Sequence, residues 1–316
     1  MSPILPFSKP DYNRAKNNPM SRISLSGVQT KHSVKLNGRK LELTDRDGEF
    51  ILKPVPNESF ERVADVPANE HVTMQMARQL FGMNTAANAL VFFSDGEPAY
   101  LTRRFDRDGS GLKFLQEDFA QLSRKTEASH GKGYKYDGSY EEMAGTMREF
   151  VGPYAIEVEK LFACILFNYL VLNGDAHLKN FSLFRDPRRS IHIMTPAYDM
   201  LNTRLHLPDE VGDTALQLFM GDFATDSFTA NAYYALDDFI LFGDRIGMKS
   251  ARVLRVVDAF ASAFEPIKAM VERSFLGPES KTEYIELVRE RIKRFKYSYK
   301  ASSARPVSKK KPRPAR

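Results

Sequence analysis

The chain has 316 residues, 42% hydrophobic and 27% charged, with one cysteine and six histidines. That is apolar material for a core spread over about two domains, and a lone Cys164, set in an apolar run and read as a buried thiol, excludes a disulfide framework and cysteine-rich zinc modules. The net charge of +6 is misleading until it is located: of 46 Lys/Arg and 40 Asp/Glu, twelve and one respectively fall in residues 289–316, so the remaining body is mildly acidic and is not a basic nucleic-acid-binding fold. No stretch approaches the ~20 apolar residues of a membrane span, and the N-terminus lacks a secretory apolar core, so the reading is a soluble, cytoplasmic protein without membrane contact.

Residues 1–20, with four prolines and little periodicity, read as an irregular lead-in. Next come residues 33–36 and 41–43, joined by the hairpin turn Asn37-Gly38, then a strand over 49–53 stopped by Pro54. The spacing predicts a helix over 68–81, with Pro67 at its start and Gly82 past its end. Strands over 88–93 and 99–103 flank Asp95-Gly96, which completes a small α+β lobe over residues 21–104. The helical lobe spans 105–300. Within it, residues 128–138, rich in Gly, Lys and His, read as a mobile loop. Residues 157–172, apolar on nearly every face, predict a central buried helix, with Gly174 as its C′ glycine. A hairpin pairs 181–184 with 191–194, and helical patterns cover 236–263 and 279–296. Residues 301–316 read as a disordered basic tail.

The chemistry concentrates after the buried helix, in Asn173-Gly174-Asp175-Ala176-His177-Leu178-Lys179-Asn180. An Asp followed five positions later by Asn, then a hairpin, then a second Asp (Asp199) is the wiring of a protein-kinase active site. A carboxylate must orient the attacking hydroxyl and accept its proton, which suits Asp175. Mg²⁺ bridging phosphates wants hard oxygen ligands, which suits Asn180 and Asp199. In the first lobe, Lys53 ends a strand where an ammonium would meet the α/β-phosphates, and Glu70 on the following helix is either its partner or a surface helix glutamate. Ser24 to Lys31 precede the first hairpin, where a phosphate-cradling loop belongs, although a G-x-G-x-x-G pattern is absent. Arg103, Arg104 and Phe105 join the lobes, where the adenine edge would meet backbone groups. There is no H-x-x-x-H pair, no G-x-S-x-G and no Walker-type phosphate loop.

The segments SLSGVQTKHSVKL, EFILKP, ANEHVTMQMARQL, LTRRFDRD, LQEDFAQL, NGDAHLKNFSL and AYDML, in that order, resemble the HipA family of toxin Ser/Thr kinases over most of residues 20–260. The short stretch before the phosphate loop resembles the HipT branch, in which an N-terminal subdomain of the full-length family is a separate small protein. The resemblance implies a two-lobe kinase fold and ATP with Mg²⁺ as cofactors. It implies Asp175 as catalytic Asp, Asn180 and Asp199 as metal ligands, and Lys53 as the ATP lysine. Ser26, Gly27, Val28, Gln29, Thr30 and Lys31 match the phosphate loop, Arg103 to Phe105 the hinge, and His177 a nucleotide-contacting position. Ser24 matches the serine that family members autophosphorylate, with Ser26 as a second candidate. Partners implied are an aminoacyl-tRNA synthetase as substrate (tryptophanyl- or glutamyl-type), a HipB-like DNA-binding antitoxin, and a HipS-like small protein, DNA being reached only through the antitoxin. Two rival readings stand beside this one: a catalytically inert kinase-like module that binds nucleic acid or a partner through the basic tail, and a small-molecule kinase on the same scaffold.

Overall fold

The first third of the chain forms an open five-stranded antiparallel sheet from β1 (His32–Asn37), β2 (Lys40–Leu43), β3 (Phe50–Pro54), β4 (Asn88–Phe92) and β5 (Pro98–Arg103), in the order β2-β1-β3-β5-β4. The computed structural model describes residues 2–16, 31–44, 46–57, 59, 61–107, 113–186, 190–207 and 212–303. Ser24, the loop residues Ser26 to Thr30 and the tail from 304 onward lie outside the described residues. Gly38 supplies the left-handed φ of 59° that the β1–β2 turn requires.

Because side chains alternate across a strand, the sheet has two different faces. One carries Leu90 and Tyr100 toward α2 (Val66–Phe81). The other carries Val34, Leu52, Val91, Phe93, Ala99 and Leu101 into a small separate core that Leu5 and Tyr12 complete. Residues 1–20, expected to be an irregular lead-in, are therefore ordered in part. Ile4 bridges Phe92 in parallel and Leu5 N donates to the Phe92 carbonyl at 2.7 Å, so the segment covers the exposed edge of β4. Residues Lys9–Lys16 then form α1. The four prolines hid a segment whose few apolar residues fill one face of a sheet.

The second lobe packs α5 (Tyr140–Phe150), α6 (Tyr154–Leu170), α8 (Leu236–Arg245), α9 (Ser250–Ala261), α10 (Phe264–Glu272) and α11 (Pro278–Lys296) around one core, with α6 at its centre. Shorter helices are α3 (Phe119–Leu122), α4 (Glu127–His130), α7 (Asp226–Asn231) and α12 (Tyr299–Ser303). A three-stranded antiparallel sheet, β6 (Gln116–Asp118), β7 (Ser182–Arg185) and β8 (His192–Met194), lies beside α6. Cys164 is buried on α6, and burial pushes its thiol up to about 12. Among the described residues, no helix is long and apolar enough to cross a membrane.

Three further expectations change. The helical pattern over 236–263 resolves into two helices, divided where Gly247 takes a φ of 84°. Residues 128–138 carry α4 and a 3-10 turn over Tyr134–Tyr136. At the start of the expected disordered tail, residues 301–303 are helical.

α2 is fixed from behind. Asp65 accepts from Gly277 N at 3.1 Å and from Ser280 Oγ at 2.5 Å, so a carboxylate from the first lobe caps the N-terminus of α11. Thr73 meets the Tyr284 hydroxyl at 2.9 Å. The helix that carries Glu70 is therefore bolted to the second lobe.

Candidate active site

Lys53 pairs across the sheet with Tyr100, and so its side chain points to the face covered by α2. There it meets Glu70 at 2.5 Å, with the two side chains only 5% and 2% exposed. The ammonium also donates to Asp199 Oδ1 and lies 5.4 Å from the Tyr100 ring centroid. Lys31 approaches the other oxygen of Asp199 at 3.7 Å. Two lysines and two carboxylates thus balance at the junction of the lobes. Burial alone would push the Lys53 ammonium down, but Asp199 and Glu70 outweigh it and hold the lysine above its ordinary range. Burial would likewise raise Asp199, but Lys53 and Lys31 hold it well below the usual carboxylate range. Glu70, with a half-share of one ammonium, is shifted up by burial. Charges this buried persist only when paired.

The backbone delivering Asp199 is strained. Its φ is 56°, a left-handed value that costs a non-glycine residue on the order of 1 kcal/mol and clusters at functional sites. The same conformation ends α6. Gly174 is not its C′ residue; Leu172 is, with a φ of 55°. Asn173 N donates to the Asn168 carbonyl at 2.9 Å and Leu172 N to that of Tyr169 at 3.3 Å, which is the paired closure of a Schellman end. Leucine is tolerated there because its side chain is buried and the helix end is pinned. Asn173 Nδ2 bonds Asn168 Oδ1 at 2.8 Å and the Asp199 carbonyl at 3.2 Å. Gly174 N donates to Thr203 Oγ1, which in turn donates to the Leu172 carbonyl, both at 2.9 Å.

Asp175 stands at the rim, its side chain 50% exposed. The Tyr136 hydroxyl donates to its Oδ1, with Lys135 Nζ at 4.0 Å and His177 Nε2 at 3.8 Å. His177 is buried, and burial lowers its pKa against the opposing pull of Asp175; its Nδ1 has no protein partner. Asn180 Oδ1 accepts from His177 N at 3.1 Å. Tyr198, the neighbour of Asp199, donates its hydroxyl to the Lys179 carbonyl at 2.8 Å and thereby draws the Asn180 and Asp199 segments together. An amide oxygen and one carboxylate beside Lys53 and Lys31 fit a magnesium ion whose remaining ligands are phosphates and water. No cluster of three His, Cys, Asp or Glu among the described residues offers a metal cage of the protein's own.

At the lobe junction, Arg103 N and Arg104 N donate to the carbonyls of Ala87 and Glu49, and the Arg104 guanidinium grips Asp106 at 2.9 and 2.6 Å. An adenine edge there would find carbonyls and the ring of Phe105, which packs on Tyr198 at 5.4 Å, rather than those two amides. Reading the sequence missed Asn69, Tyr136, Thr203 and His206. Asn69 Nδ2 bonds the Asn202 carbonyl and His206 Nε2, each at 2.8 Å, and Asn69 Oδ1 accepts from Asn202 N at 3.0 Å. Local pattern carries no signal for such partners.

Residues 23–267 match the model of the HipA-like C-terminal domain family. A Haemophilus influenzae protein carrying a provisional kinase name is 28% identical over 289 residues, which cover 87% of this chain and 82% of that protein. The serine/threonine-protein kinase toxin HipA of Shewanella oneidensis is 30% identical over 242 residues, 72% of this chain, but the chain spans only about half (52%) of that protein. Among solved structures, the Shewanella oneidensis HipA in a complex with HipB and operator DNA superposes with a TM-score of 0.66 at 23% identity, covering 92% of this chain and 71% of that one. The Helicobacter pylori proinflammatory kinase CtkA gives 0.52 at 13% identity, over 83% and 90% of the two chains. The fold is thus the α+β, two-lobe protein-kinase-like one.

Proposed function

The chain belongs to the HipA-like C-terminal domain family, and from that premise we propose that it is a toxin Ser/Thr-protein kinase that moves the γ-phosphoryl of ATP to a protein hydroxyl. The observation that carries the reading is the buried Lys53–Glu70 pair meeting Asp199 at the lobe junction, with Asp175 exposed across from it. Lys53 binds the α/β-phosphates while Glu70 holds it upright. The loop from Ser26 through Gly27, Val28, Gln29 and Thr30 to Lys31 covers the phosphates, and Arg103 to Phe105 border the base. His177 contacts the nucleotide. Asn180 and Asp199 hold Mg²⁺, which when bound neutralises charge developing on the phosphates. Asp175 orients the acceptor hydroxyl and takes its proton as the new oxygen–phosphorus bond forms and the bond to the β-phosphate oxygen breaks.

The finer proposals rest on family likeness. The acceptor is an aminoacyl-tRNA synthetase, tryptophanyl- or glutamyl-type, so that transfer stops translation and growth. Ser24 and Ser26 are autophosphorylated; a phosphate there adds about −1.5 to −2 charge beside those of ATP and repels the loop from the nucleotide. A HipB-like antitoxin and a HipS-like small protein are the partners, as HipB is for the Shewanella HipA.

Saturating Mg·ATP, at about 100 times its dissociation constant, should stabilise the wild-type chain by about 2.7 kcal/mol. Asp199→Asn should lose most of that shift. If wild type shows no stabilisation by Mg·ATP, the reading fails.

A further inference from the structure

Residues 131–138 fold over the rim of the site. Gly131 and Gly138 bound them with φ values of 73° and 125°. Between these hinges, Tyr134–Tyr136 make one 3-10 turn. The segment is anchored through Asp137, whose carbonyl accepts from Lys125 Nζ at 2.6 Å and whose carboxylate lies 3.7 Å from His130. Tyr136 is thereby aimed at the catalytic loop. Its hydroxyl donates to Asp175 Oδ1, its ring sits edge-on to His177 at 5.2 Å and 73°, and Lys135 Nζ lies 4.8 Å from the ring centroid. Tyr136 is 43% exposed, so core packing does not account for the contact.

A phenolic O–H donating to this carboxylate does what an acceptor alcohol must do there before phosphoryl transfer. We propose that Tyr136 is a stand-in acceptor: it holds the acceptor hydroxyl's place on Asp175, and the glycine-bounded 131–138 segment is a cover that a protein acceptor displaces and water does not. The proposal rests on the kinase reading above and deepens it. An acceptor must replace a hydrogen bond to a charged group and lift the cover, which a folded protein with many contacts does and a small free alcohol does not. Until then Oδ1 of the base is occupied by the phenol, although half of the side chain is open to solvent, and a water is not oriented there for attack on ATP.

The test uses the full chain as wild type, Tyr136→Phe and Asp175→Ala. Hydrogen exchange of the 131–138 amides should rise in both variants, since each removes one end of the latch. In Tyr136→Phe, acceptor-independent ATP hydrolysis should rise about tenfold, the size expected for losing one charge-assisted hydrogen bond, with the KM for ATP within twofold of wild type. A merely structural tyrosine would lower hydrolysis or leave it unchanged. Unchanged exchange in both variants, unchanged or reduced hydrolysis in Tyr136→Phe, or phosphate recovered on Tyr136 itself would each overturn the proposal. If wild type fails to bind Mg·ATP, the kinase reading falls and takes the stand-in role with it; binding without the rise in hydrolysis removes the stand-in role alone.

Discussion

Lys53 and Glu70 are sealed between the sheet and α2, whereas Asp175 stands half-exposed on a loop, and the two regions obey different rules. In the first, two carboxylates and two lysines compensate one another in a dry junction, and α2 is bolted to α11 through Asp65 and Thr73. Its geometry is set by the fold before any nucleotide arrives. At the rim, Asp175 meets groups that hinge on glycines and reach it from a surface turn. Substitutions in the dry region should therefore register in stability as well as activity, and those at the rim in activity alone.

The largest effect is expected at the rim. Asp175→Ala should lower phosphoryl transfer by about 10²–10⁴-fold, the usual contribution of a positioned base, while the melting temperature and ATP affinity stay near wild type. A variant that still transfers phosphate at half the wild-type rate would show that the base lies elsewhere. In the dry region, Lys53→Met leaves Glu70 and Asp199 facing each other without their shared ammonium. It should cost about 3–5 kcal/mol of stability in urea titration, and Glu70→Gln in the same background should recover a large part. A cost below about 1 kcal/mol would mean that water reaches the cluster and screens its charges.

Thr203→Val probes the seam between the two regions. It removes the hydroxyl that accepts from Gly174 N and donates to the Leu172 carbonyl, and should cost about 1–3 kcal/mol for groups left unpaired. The smallest effect is on pH. His206 is neutral, with Nδ1 on the Glu61 carbonyl at 2.9 Å and Nε2 accepting from Asn69, and burial lowers its pKa. Above about 6.5 neither the folded nor the unfolded state is protonated, so His206 adds no pH dependence. Below it the unfolded chain binds a proton that the folded one refuses, and stability falls by up to about 1.4 kcal/mol per pH unit per histidine. His71 and His177 are shifted the same way, again by burial, so His206→Gln should flatten the fall between pH 7 and 5 without abolishing it. Parallel falls in wild type and variant would contradict this. Asp199, held low, loses its contribution only in stronger acid.

What was legible in the sequence was local. Pro67 and Gly82 bracket a helix because a fixed φ favours its start and a left-handed φ of 62° favours its end. Asn37-Gly38 forced a hairpin for the same kind of reason. The order Lys53, Asp175, Asn180, Asp199 suggested one site because phosphate chemistry asks for those groups. What was not legible depends on residues far apart in the chain. Asp65 caps a helix 212 positions away, Asn69 finds its partners 133 and 137 positions away, and Tyr136 reaches Asp175 across 39. A loop rich in glycine looks mobile whether or not one of its two tyrosines has a carboxylate to hold. Gly174 looks like a helix terminator because glycine usually is one, yet a buried leucine, held through its own amide and that of Asn173, serves instead.

The most direct measurement incubates the purified wild-type chain, Asp175→Ala and Asp199→Asn with Mg²⁺ and γ-labelled ATP, alone and with a bacterial lysate, and follows label into protein. Label should enter wild-type samples on serine or threonine, including Ser24 or Ser26, and be absent from both variants, with Asp175→Ala matching wild type in thermal stability and Asp199→Asn still folded. Wild-type protein that transfers no label, or an Asp175→Ala variant that labels as wild type does, would contradict the account.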